Sequence, residues 1–167
     1  TYNYSISSSG GGSPLTGSGT VSSATESITG IDVSSLTDGT LTLSVTLVDG
    51  SSNTGAAATS TVVKDSGVPT GYAAAFTTSP VNNANKAAAA FNITTAEVGT
   101  TYSYSISSSG GGSPVTGSGT VSSATQSVTG IDVSSLADGT LTVSVTLTDA
   151  SSNAGSAVTA TVTKDVV

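Results

Sequence analysis

The chain has 167 residues, three Lys and no Arg against ten acids, and a net charge of −7 at pH 7. It contains no Cys, Met, Trp or His. These absences exclude a disulfide scaffold, a thiol nucleophile and a zinc–thiolate site, an imidazole base or ligand, and a basic patch for nucleic acid.

The chain repeats itself. Residues 1–65 realign with 101–165 without a gap and differ at only 13 positions, which sets a period of 100 residues. That is about one domain, longer than the ~20–50 residues of a solenoid repeat. The segment 66–100 occurs once. A unit running from about Ser66 therefore leaves the first copy without its opening 35 residues. We read 1–65 as an incomplete repeat lacking its first strands and 66–167 as a complete one. The first copy is expected either to be cut from a longer polypeptide or to be completed by another chain. Leu15/Val115, Ile28/Val128 and Leu43/Val143 exchange one aliphatic for another, as expected at buried positions. Thr37/Ala137 and Glu26/Gln126 change polar character, as expected at the surface.

In chain order, the complete unit predicts strands at 72–78, 87–94, 101–109, 115–121, 125–131, 140–148 and 156–164. By repetition the first copy carries the last five of these. The evidence is a period of two. Leu141, Val143, Val145 and Leu147 alternate with Thr142, Ser144, Thr146 and Thr148, so one face meets a core and the other meets water. Val158, Ala160 and Val162 do the same against Thr159, Thr161 and Thr163. Val and Thr dominate, and both favour strands. Turn residues separate the runs at 79–85, 96–99, 110–114, 132–139 and 149–155. The triple glycines 10–12 and 110–112 are followed by Ser-Pro and a strand. They read as hairpin connections, because a phosphate cradle would be followed by a helix. No apolar run approaches the ~18 residues of a membrane span, so no membrane insertion is expected.

Seven short alternating strands in about 100 residues predict an all-β fold: tandem immunoglobulin-like antiparallel β-sandwiches. Lys64-Asp65-Ser66-Gly67-Val68-Pro69-Thr70-Gly71-Tyr72 resembles the KDxxxPTGY junction of bacterial Ig-like repeats. The stretch from Gly130-Ile131-Asp132 to Thr148-Asp149, with Asn153 and Gly155, resembles the ending of the same units. The resemblance implies extender domains of large bacterial surface proteins, often adhesins. It implies an extracellular or cell-surface location, with neighbouring repeats as partners and other copies of the chain as further ones. Some of these relatives bind Ca²⁺ where domains meet. In an Ig-like topology Asp32, Asp38 and Asp65 of the first unit would face Glu97, Asp149 and Asn153 of the second. These six are the candidate Ca²⁺ ligands, since Ca²⁺ takes six to eight oxygens, and the competing reading makes them ordinary turn residues. No catalytic or cofactor-binding residue is expected, because no serine has a His beside it and no lysine sits in an evident pocket. The expected function is a non-catalytic structural spacer. The alternatives are a self-assembling filament subunit, completed by a neighbour's strands, and a glycan-binding module, which would lack the usual tryptophan platform.

Overall fold

The computed structural model describes residues 1–166, and among them every regular element is a β-strand. The chain divides into two compact units, Thr1–Gly67 and a second beginning at Val68.

The first unit holds β1 (Tyr2–Ser8), β2 (Leu15–Gly19), β3 (Gly39–Leu47) and β4 (Ala58–Lys64). They form one antiparallel sheet in the order β2-β1-β3-β4. The second unit holds β5 (Ala73–Phe76), β6 (Ala89–Thr94), β7 (Thr101–Ser108), β8 (Val115–Thr120), β9 (Thr125–Ile131), β10 (Gly139–Thr148) and β11 (Val158–Lys164). Here there are two sheets, β5-β6-β9 and β11-β10-β7-β8. All seven expected strands are present, and their order across two packed sheets is that of an immunoglobulin-like sandwich. The Ala-rich run begins its strand at Ala89, two residues later than expected. Asn82 and Asn85 tie the preceding residues into a turn, with Asn85 Oδ1 accepting from the Asn82 N–H at 2.7 Å.

The four-stranded sheets match in register. Ile6 lies opposite Leu43 as Ile106 lies opposite Val143. In both, tyrosine rings lie across the neighbouring strand over glycine: Tyr2 and Tyr4 over Gly19 and Gly17, Tyr102 and Tyr104 over Gly119 and Gly117. A Cβ on any of these glycines would collide with the ring. The residues are glycine because the aromatic face needs that close approach.

The core of the second unit lies between its two sheets. Leu141, Val143, Val145 and Leu147 present one fully buried face of β10, and Ala89, Phe91 and Ile93 present the facing side of β6. Phe91 meets Tyr104 edge to face at 5.2 Å and Phe76 at 6.4 Å. Both contacts fit the preferred geometry of aromatic pairs. Tyr72 seals one end. It is buried, donates its hydroxyl to the Ser156 carbonyl at 2.6 Å and accepts from the Leu147 N–H at 3.2 Å. The first unit has a much smaller core, made of Ile6, Leu36 and Leu41 with half-buried Tyr4, Leu15, Ile31, Val33 and Leu43 packed against it.

One expectation for the first unit fails. Residues 25–31, counterpart of β9, form no strand. In the second unit β9 pairs with β6 through Phe91↔Val128 and Asn92↔Ser127. Among the described residues the first unit has no strand equivalent to β6, so the backbone of 25–31 has no ladder to join.

Candidate functional site

The six candidate Ca²⁺ ligands are spread over both units. All but Asp38 make the local contacts of a turn. Asp32 Oδ1 accepts from the Ser34 N–H at 2.8 Å, and this backbone contact leads the hydroxyl of the same serine in holding its carboxyl below the usual range. Asp65 Oδ1 accepts from the Gly67 N–H at 3.0 Å. The Glu97 carbonyl accepts from the Thr100 hydroxyl at 2.7 Å. Asp149 and Asn153 are brought together: the Asn153 side-chain amide donates to Asp149 Oδ2 at 2.9 Å and its backbone N–H to Oδ1 at 2.8 Å. The Asn153 amide is the main cause of a lowered Asp149 pKa. Asp49 and Asn53 repeat that clasp in the first unit. Among the described residues no three acidic side chains gather as a metal site would require.

Asp38 has a partner that spacing alone did not reveal. Lys64 donates to its Oδ1 at 2.8 Å, and the N–H and hydroxyl of Ser66 donate to Oδ2, each at 2.8 Å. The lysine first, then Ser66, lowers this carboxyl to about 2. Asp138 plays the same part in the second unit. Its Oδ1 lies 3.5 Å from Lys164 Nζ, and its Oδ2 accepts from the Val166 N–H at 3.2 Å. The Lys164 ammonium also donates to the Leu136 carbonyl. Lys164 is almost fully buried, whereas Lys64 is partly exposed. Each unit therefore ties the end of its last strand to the turn that opens its β3-type strand.

The largest unusual feature is the face of the first unit's sheet. Some of the side chains that build the core in the second unit stand open here, although Ile6, Leu36 and Leu41 stay buried. Leu47 is 55% exposed where Leu147 is 0%, and Val62 is 63% exposed where Val162 is 7%. Tyr2, Tyr4, Leu43, Val45 and Leu47 form one wall of a groove of about 420 Å³, and Val21, Ile28 and Ile31 form the other. The wall residues come from β1 and β3, where alternation puts every second side chain on one face. Ile28 and Ile31 of the opposite wall come from the segment that fails to form a strand, and Val21 lies just ahead of it. The repeat register alone predicts missing strands for the first unit, but not which residues line the groove they leave.

No family model and no curated protein matches the chain. Among solved structures, a tetra-tandem repeat from the extending region of a large adhesion protein is 28% identical with a TM-score of 0.44. That match covers 96% of this chain, which spans 40% of the length of that one. A segment of two fibronectin type III domains from chicken tenascin is 15% identical with a TM-score of 0.42, over 97% of this chain and 83% of the other. Among the described residues no helix is long and apolar enough to cross a membrane.

Proposed function

We propose that the chain is a non-catalytic spacer, a length of a tandem array that holds other parts of a large bacterial surface protein at a set distance outside the cell. The observation that carries this reading is the match between period and fold. The sequence repeats every 100 residues, and the unit beginning at Val68 closes one sandwich by Asp165. One period is one folded body, so adding periods adds bodies.

The chemistry of the side chains supports the same reading. Each of the three lysines is already engaged: Lys64 with Asp38, Lys86 with Asn83 at 2.7 Å, and Lys164 with the Leu136 carbonyl. With no His or Cys in the sequence, no serine has an imidazole to activate it and no thiol nucleophile is available. The outward strand faces carry Ser and Thr, which are wetted and uncharged.

The test is length. β10 has ten residues, and at ~3.3 Å per residue a sandwich is about 30 Å along its strands. Chains carrying one, two and four complete repeats, examined by small-angle scattering and electron microscopy, are expected to lengthen by a constant increment of roughly 30–40 Å per repeat. A maximum dimension that stops rising with repeat number would overturn the spacer reading.

A further inference from the structure

We infer that the open face of the first unit is an acceptor for a strand segment with the sequence pattern of residues 68–94, delivered by another repeat of the same protein. The inference rests on the tandem-repeat reading above, and the second unit supplies the template. There the equivalent face is covered by that segment. Phe91 and Ile93 of β6 lie buried in the same core as Val143, Val145 and Leu147. β5 pairs with β6 through Phe76↔Phe91, and Val81 pairs with Lys164 on the outer side of β11.

The acceptor face is preserved in the first unit. Tyr2, Tyr4, Val45 and Leu47 are identical to Tyr102, Tyr104, Val145 and Leu147, and Leu43 replaces Val143. Tyr104 packs its ring against Phe91. Tyr4 instead stacks on Tyr2 at 6.5 Å and lines the groove. On the outer side, Val62 and Val63 of β4 are exposed where Val81 would sit. In the second unit the strand that fills this place carries Phe91 and Ile93 two residues apart, with Asn92 between them. Two such acceptor faces packed on each other would leave the backbone of 25–31 without a ladder, whereas a β6-type strand supplies one. The segment 68–94 of the same chain is already committed to its own core, so the donor is a further copy of it.

Coupled folding follows from this pairing. β9 exists because β6 pairs with it, so docking is expected to turn residues 25–31 from irregular chain into strand. The donor is a peptide of residues 68–94 added to the full 167-residue chain, followed by residue-resolved amide hydrogen exchange and methyl shifts. The expected result is saturable binding, perturbed Leu43, Val45 and Leu47 methyls, and at least tenfold slower exchange at the amides of 25–31. Leu47→Asp lies on an exposed position and leaves the unit folded; it is expected to weaken binding at least tenfold, as is Phe91→Ala in the peptide. A second arm repeats residues 66–100 ahead of Thr1 in one polypeptide, which avoids peptide insolubility. Residues 25–31 remaining unprotected in both arms would overturn the inference. So would a concentration-dependent dimer, seen by sedimentation, that the peptide fails to dissolve. Neither failure changes the length increment per complete repeat, so the spacer reading is tested separately.

Discussion

Leu47 and Leu147 occupy the same place in two nearly identical sequences, with Val45-Thr46 or Val145-Thr146 before them and the same cross-strand partner, Tyr2 or Tyr102. One is more than half exposed and the other is fully buried. Residues 25–31 and 125–131 differ only at Glu26/Gln126 and Ile28/Val128, yet only the second is a strand. The Glu-to-Gln exchange does not explain this. Glu26 Oε2 accepts from the N–H and hydroxyl of Ser22, and Gln126 Oε1 accepts from those of Ser122, all at 2.9 Å. What separates the units is the facing layer. The four-stranded sheet forms its own hydrogen bonds and keeps its register without that layer, but β9 and the deep core depend on it. Local sequence decides which residues alternate, and the opposite sheet decides whether alternation becomes burial.

Paired substitutions sharpen that contrast. The largest difference is expected at the matched leucines. Leu147→Ala removes a side chain from a closed core and should destabilise the second unit by ~2–5 kcal/mol, while Leu47→Ala should change the first by no more than ~0.5 kcal/mol. Urea titration followed at residue resolution by NMR separates the two, and equal losses would show that the first unit's face is closed in solution. Next come the lysines. Lys164→Met leaves the Leu136 carbonyl and Asp138 without their cation and should cost about 1–3 kcal/mol in the second unit. Lys64→Met breaks a more exposed pair and should cost less than ~1 kcal/mol in the first; the same titration reads both.

The smallest effect is on acidification. Asp38 has its folded pKa lowered from 3.8 to about 2 by Lys64 and Ser66. Its stabilisation is therefore complete above the unfolded value and is lost as pH falls from about 4 through about 2. Melting of the first unit between pH 5 and pH 2 should show this decline, and Asp38→Asn should flatten it. A decline of the same size in Asp38→Asn would assign it to the other carboxylates.

Much of the fold was legible in the sequence. Strands β7 to β11 fall within a few residues of the runs where Val, Leu and Thr alternate, because a half-buried sheet imposes a period of two. Of the three aliphatic exchanges expected to be buried, Val128 and Val143 are buried in the second unit and Val115 only partly. Their counterparts are not, because burial depends on strands far away in the chain. The tyrosine-over-glycine pairs were hidden for a similar reason, since they follow from cross-strand register. Among the candidate site residues, the turn role of Asp32 and Asp149 was legible in their spacing to Ser34 and Asn153. The partner of Asp38 was not, because Lys64 lies 26 residues further on and reaches it only once β3 and β4 have paired.

The bridge between Val81 and Lys164 has a consequence under tension. The two segments run parallel, with the Val81 N–H donating to the Thr163 carbonyl at 3.0 Å and the Asp165 N–H donating to the Val81 carbonyl at 2.9 Å. One segment lies near the start of the second unit and the other at its end. Force applied to the two ends pulls parallel neighbours in opposite directions along their common axis. The bonds between them, and the Asp138 contact to the Val166 N–H just beyond, are then loaded together in shear and must rupture nearly at once. An unzipping geometry would break them in turn at lower force.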